Sequence, residues 1–423
     1  MRPLAKGVLV VATAVLATAS LAVVLKAKRI EEGRCRLVAQ KMDKDPWGLA
    51  YQVLQPQVSR PEGIADLPAS FGRPTYYLIK SGDRQVAAVL DFSKGLRLCV
   101  DADGDGRLAQ ERCLSAKRVS LAKEGGVWRF GPVCLVAAAG QDKASRSFYA
   151  WCYSPHTAGP MILCPATYKT GTLSLAGRPY QVAIVDGDYD GRFSTTLKLP
   201  LGESWRMPGC DLFGIDLNHG GTFNFSLCEH SEVSPLGKMV LVRGSYYTID
   251  VAVDGTGLTL SKTEPEFGTL VVEPNDTTAF LRLWSDAADQ NLPDDHQWQL
   301  PAGKYKAINA IFRKTDSAGD IWTFSGKSLA SSAQGYVHLG PLDAFEIRPG
   351  QTTTLKVGPP FVVKALVQKA LSGVVLIDAA LTDSAGVEYY MDVRRNNERP
   401  AERAFKIVDE KGTVLAAGTF KYG

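Results

Sequence analysis

The chain has 423 residues, of which 45% are hydrophobic and 22% charged, and its formal net charge is +4. That supply of apolar residues is enough to build cores for two to four domains and excludes an intrinsically disordered chain. Weak net charge without a long basic run excludes nucleic acid as a main partner.

The first predicted element is apolar and uncharged, Gly7–Leu25. As a helix it would reach about 28 Å, close to the hydrocarbon thickness of a bilayer. It reads either as a signal peptide, with Ala17-Thr18-Ala19 as a small-residue cleavage site, or as an uncleaved anchor. Membrane contact is expected only through this segment. The flanking Lys26, Lys28 and Arg29 favour a cytoplasmic body, whereas the cysteines described below favour an exported one.

A short helix is expected around Arg36–Met42. Strands begin at "TYYLIKSGDRQVAAVLDF", where two β-rich runs flank Ser81-Gly82-Asp83 as a hairpin. "LRLCV" follows, then an acidic loop, then "LAQERCLSAKRV" with a turn or two of helix. Further on, Ala176-Gly177 and Asp254-Gly255 mark two more hairpins. The 40 glycines, gathered at such turns, suit many short strands better than long helices. From Glu264 the runs "FGTLVVEP", "AFLRLWS", "WQLPAGKYKAINAIF", "DIWTFSGKSL" and "AFEIRPGQTTTLKVG" predict a β-sandwich. The fold class is therefore mainly β and multi-domain: β-hairpin modules with Asp-rich turns, followed by Ig-like sandwich modules. The expected divisions are a signal or anchor at 1–29, modules at 30–125 and 126–263, and a sandwich at 264–358. A small second sandwich, or strands completing the first, covers 359–423.

Three turns share one pattern after an apolar strand. "DADGDGRL" places Asp101, Asp103 and Asp105 before Gly106; "DGDYDGRF" places Asp186, Asp188 and Asp190 before Gly191; "DLNHGGTF" places Asp216 and Asn218 before Gly221. An Asp-Gly hairpin needs one aspartate, not carboxylates at alternate positions. Carboxylates held this close repel unless a cation sits among them. Calcium takes six to eight oxygens in a forgiving geometry, and glycine at the sixth position permits the sharp turn.

The Asp-x-Asp-x-Asp-Gly pattern resembles the loop of EF-hand and dockerin-like calcium-binding proteins. That resemblance implies side-chain ligation by Asp101, Asp103 and Asp105, with the carbonyl of Arg107 added, and Glu111 as the nearest acid to the loop's end. It implies the same for Asp186, Asp188, Asp190 and the carbonyl of Arg192, and a reduced site at Asp216 and Asn218. The chain departs from the EF-hand pattern in placing Arg112 and Leu197 where that loop closes with a glutamate, which lowers the expected affinity. By its overall pattern the chain is also similar to exported β-rich proteins of bacteria, a resemblance that implies no activity.

The eight cysteines include no CxxC. Cys99/Cys113, Cys152/Cys164 and Cys210/Cys228 bracket short loops, and Cys35/Cys134 pair by elimination; such staples suit an oxidising compartment. Zinc on Cys152, His156 and Cys164, or on Cys228 and His230, is a lesser alternative. The functional expectation is a non-enzymatic, calcium-stabilised scaffold located in the periplasm, on the cell surface or in the medium, with a protein or carbohydrate partner. A carbohydrate-binding or adhesive module would expose Trp284, Trp298 and Trp322 on one face. A hydrolase would hold a carboxylate pair in a deep pocket away from the acidic loops.

Overall fold

A computed structural model describes residues 32–42, 52–81, 84–119, 127–135, 146–152, 159–199, 209–223, 232–274, 276–326, 342, 344–369, 375–389, 393–402 and 404–419. The segment Gly7–Leu25 lies outside them. The described residues form strands and contain no α-helix. None of their elements is a helix long and apolar enough to cross a membrane.

Two sheets enclose the first core. One is a meander of Pro74–Ser81, Arg84–Asp91, Arg97–Val100 and Leu114–Ser115. Its first two strands run through the expected hairpin, with Ser81 opposite Arg84. The other sheet orders Gln52–Leu54, Met161–Pro165, Arg146–Cys152, Trp128–Leu135 and Lys117–Arg118. Alternate residues point inward, so Tyr77, Leu90 and Leu98 meet Phe130, Phe148 and Leu163 in one buried cluster.

A second pair of sheets repeats the arrangement. Val233–Pro235, Leu212–Ile215, Arg178–Val185, Thr167–Leu175 and Val38–Lys41 form one; Glu32–Arg36, Gly257–Thr263, Ser245–Val251 and Met239–Val242 form the other. The turn at Ala176 and Gly177 has positive φ at both residues, 49° and 73°, the type I′ geometry that matches strand twist. Residues 36–42 are extended, not helical. Val38–Lys41 pairs with Thr167–Thr170, and a side chain at Gly33 would meet the Ser174 carbonyl at 2.8 Å. Tertiary pairing here overrides the local helical tendency.

The third sandwich sets Gln297–Pro301, Phe267–Glu273 and Thr352–Lys356 against a nine-stranded sheet. Phe361–Lys369 and Val375–Asp383 join that larger sheet beyond Glu388–Tyr389. Val387 and Tyr389 share its core with Leu281, Tyr305 and Phe312. Ala404–Val408 and Val414–Thr419 form a hairpin that pairs with no other strand among the described residues. Trp284 and Ile308 leave the third core and pack instead with Ala183, Leu212 and Val233 of the second sandwich.

Of the expected cysteine pairs, Cys99–Cys113 is a disulfide. Cys152 and Cys164 are not bonded. They sit on neighbouring strands, but Cys152 is opposite Met161 and Cys164 opposite Tyr149. This three-residue offset puts the two thiols on opposite faces of the sheet, Cys152 in the sandwich core and Cys164 beside Trp151. The same separation rules out their sharing a zinc ion. Cys35 and Cys134 are also unbonded and lie in different sheets. Cys228, His156 and His230 are outside the described residues. Removing the one described bridge by Cys99→Ala with Cys113→Ala frees a loop with a sequence separation of 14. The expected cost is about 3 kcal/mol, read as a lower urea midpoint. A midpoint unchanged from the oxidised protein would mean that the loop is closed by its hydrogen bonds alone.

Candidate metal centre

The first acidic loop leaves the strand Arg97–Val100 and returns at Leu114–Ser115. Asp101 is buried, and its two oxygens accept the N–H groups of Gly104 at 2.9 Å and Gly106 at 3.2 Å. Asp103 accepts from Asp105 N–H at 3.1 Å, and Asp105 from Arg107 N–H at 2.7 Å. Each carboxylate thus bends the chain back on itself, and one oxygen from each of the three lies within 4.8 Å of the others. Burial first, then Asp103 and Asp105, push the Asp101 carboxyl above its ordinary range, against the two N–H bonds it accepts. A cation among the three would reverse that push.

Glycine is required at position 106 for two reasons. Its φ is 77°, and a Cβ there would stand 2.1 Å from the Gly63 carbonyl. That close approach docks the loop on the preceding segment: Ala65 N–H donates to the Gly106 carbonyl, and Ala109 N–H to Asp66. Leu108, fully buried, anchors the loop's far side beside Cys99. The expected helix after the loop is instead a pair of turns, in which the Arg107 carbonyl accepts Gln110 N–H and the Leu108 carbonyl accepts Glu111 N–H. The bridge to Cys113 draws the chain back into the sheet before a helix can propagate. Glu111 reaches back to Ala102 N–H at 2.9 Å, bracing the loop's entry.

The second loop repeats this frame after Arg178–Val185. Gly191 N–H donates to Asp186 at 3.0 Å, Asp190 N–H to Asp188 at 3.3 Å and Arg192 N–H to Asp190 at 2.7 Å. Gly191 has φ 81°. The three carboxylates again converge within 4.8 Å. Burial and then the neighbouring Asp190 push the Asp188 carboxyl up.

A fourth carboxylate stands behind this second cluster, and nothing in the pattern of the sequence announces it. Asp211 is fully buried and accepts Gly187 N–H at 3.1 Å and Thr195 N–H at 2.8 Å. It thereby ties both ends of the loop to the strand Leu212–Ile215. Burial, with Asp186 and Asp188 adding to it against those two N–H bonds, drives its carboxyl up to about 9. In "GCDLFG" it is a lone acid before an apolar run, a context with no periodic signal.

The third loop keeps the backbone frame with fewer charges. Gly220 and Gly221 N–H donate to the two oxygens of Asp216 at 2.9 and 2.8 Å. Asn218 accepts Gly220 N–H at 2.7 Å and is hydrogen-bonded to Glu232. Asp216 and Asn218 are brought together, but only the first two loops gather three acidic ligands.

The tryptophans do not form a stacking face. Trp284 and Trp298 are core residues. Trp322 is half-buried, donates to Asp316 at 2.9 Å and lies under the Arg395 guanidinium. The carboxylates Glu232 and Asp289 do share a cavity, but it borders the third loop, whose Asn218 binds Glu232. Compared with known protein families, curated proteins and solved structures, the chain matches none of them.

Proposed function

We propose that the protein is a calcium-stabilised, exported β-scaffold, non-enzymatic, whose sandwiches present surfaces to a partner. The observation that carries this reading is the duplicated three-carboxylate loop. Two separate sandwiches each hold aspartates at alternate positions, a glycine with positive φ at the sixth, and ligand oxygens within 4.8 Å. All-oxygen donors on a flexible loop suit a hard, large dication, and calcium fits that set better than magnesium or zinc. Arg107 and Arg192 supply the backbone carbonyl at the seventh position, and Asp211 supports the second loop from behind. The ion would replace core as the stabiliser of a strand connection. Export is supported by the disulfide beside the first loop.

Calorimetric titration of calcium into EDTA-stripped protein tests this. The expected result is two ions, one lost on Asp101→Asn with Asp103→Asn and the other on Asp186→Asn with Asp188→Asn. At a free calcium level about 100-fold above Kd, each site should add about 2.7 kcal/mol of stability. Absence of heat up to millimolar calcium, where extracellular modules still bind, together with an unmoved Tm, would sink the proposal.

A further inference from the structure

The second and third sandwiches meet along a groove that plays no part in the metal loops' proposed role. One wall comes from Leu212–Ile215, Val233–Pro235 and Met239–Val242, the other from Thr277–Ser285 and Gln290–Asp295. Its cavity volume is about 230 Å³. That is below the ~300 Å³ at which drug-sized sites begin, so it suits a small organic molecule. Phe213, Ile215, Leu241 and Leu283 give it an apolar body, and Glu232, Asp289 and Arg282 line it with charge.

Among the described lining residues the charges do not balance. Arg282 is buried and can offset one of the two carboxylates, and its field acts on Asp289. Glu232 stands on the opposite wall, hydrogen-bonded to Asn218, and its Oε1 is buried with no hydrogen-bond partner among the described residues. A carboxylate oxygen in that state has lost water without gaining a donor, which is unfavourable until a donor arrives. Asp289 accepts the Ser285 N–H at 3.1 Å on one oxygen, while its Oδ2 is likewise buried without a hydrogen-bond partner among the described residues. A positive donor entering the cavity would relieve either carboxylate.

We propose that this groove binds a small organic cation, a protonated amine on an apolar body, with the ammonium drawn in by the field of Glu232 and Asp289 and the body against Phe213, Ile215 and Leu283. An anion would meet two carboxylates against one guanidinium. A neutral alcohol would gain the apolar contacts but not the charge.

Met239 lines the groove and is one of six methionines in the chain, so its ¹³C-labelled methyl signal reports occupancy in the full-length protein. The probes are 4-phenylbutylamine, 4-phenylbutanol and 4-phenylbutyrate. The amine is expected to shift the Met239 signal saturably and to bind about tenfold more tightly than either analogue, a difference of ~1.4 kcal/mol. Glu232→Gln, and separately Asp289→Asn, should each weaken the amine about tenfold while the other methionine signals stay in place. Equal binding of amine and alcohol would reduce the groove to an apolar slot and overturn the proposal. Preference for the butyrate, no shift at Met239, or amine affinity unchanged in both variants would also overturn it. The result does not depend on whether the first two acidic loops take calcium.

Discussion

Replacing Asp91 by alanine is expected to destabilise the first sandwich by about 3–5 kcal/mol, the range for removing one partner of a buried ion pair. Asp91 is fully buried at the end of Arg84–Asp91. Its carboxylate accepts the N–H groups of Gly72 and Arg73 at 3.1 and 3.0 Å, the Ser93 hydroxyl at 2.9 Å and the Arg97 guanidinium at 2.9 Å. Arg97 in turn holds Ser70 and covers the Phe71 ring. One carboxylate thus joins two strands to the loop that closes over them, and alanine would leave a partly buried guanidinium and two N–H groups without their acceptor. Burial alone would raise the Asp91 carboxyl, but the Arg73 N–H, Arg97 and Ser93 outweigh it and hold it at about 2. The folded value lies below the ordinary ~3.9. The stabilisation is therefore present above the unfolded pKa and is lost as pH falls through about 4 to about 2. Urea unfolding at several pH values should show that acid limb in the wild type and a flatter one in Asp91→Asn. An Asp91→Ala loss under about 1 kcal/mol would show that water replaces the network at little cost.

Trp284→Ala is expected to cost about 3–5 kcal/mol, as for other fully buried aromatics. From Leu281 to Ser285 the strand Thr277–Ser285 is buried on both faces. Leu281 and Leu283 enter the third core, while Trp284 points the other way into a cluster with Ala183, Leu212 and Val233. Its loss opens a cavity shared by two sandwiches, so calorimetry should show the second and third units melting apart. The indole N–H is buried with no hydrogen-bond partner among the described residues. Trp284→Phe removes that unsatisfied donor while keeping most of the ring, and should cost no more than about 1.5 kcal/mol. Equal losses in the two variants would place the energy in the indole's shape and not in filling the space.

Period-two alternation and paired turn residues are local signals, which is why the β class and the hairpins around Ala176-Gly177 and between Ser81 and Arg84 were legible. The spaced aspartates were legible for the same reason: each triplet lies within five residues and its convergence follows from turn geometry. Partner choice is a different kind of property. Glu32–Arg36 pairs with Gly257–Thr263, far along the chain. Cys152 and Cys164 look like a loop-bracketing pair until the register sets them on opposite faces. Asp91, Asp211, Glu232 and Asp289 carry much of the buried electrostatics, yet none of them stands in a run of acids at alternate positions. Their chemistry comes from what packs around them, and no spacing rule reports it.

The third loop keeps the same bond from the sixth residue's N–H to the first aspartate, although it has asparagine at the third position and glycine at the fifth. The turn's shape therefore comes from its own peptide groups, with no need for a full set of charges. An ion reaching Asp101 or Asp186 meets a cradle already cast, and no chain has to be ordered at the moment of capture. The speed of uptake then falls to the ion's own hydration shell. A large, loosely hydrated dication sheds water readily, whereas magnesium gives it up reluctantly. Such a loop sorts ions by how fast they undress as well as by how tightly they finally sit.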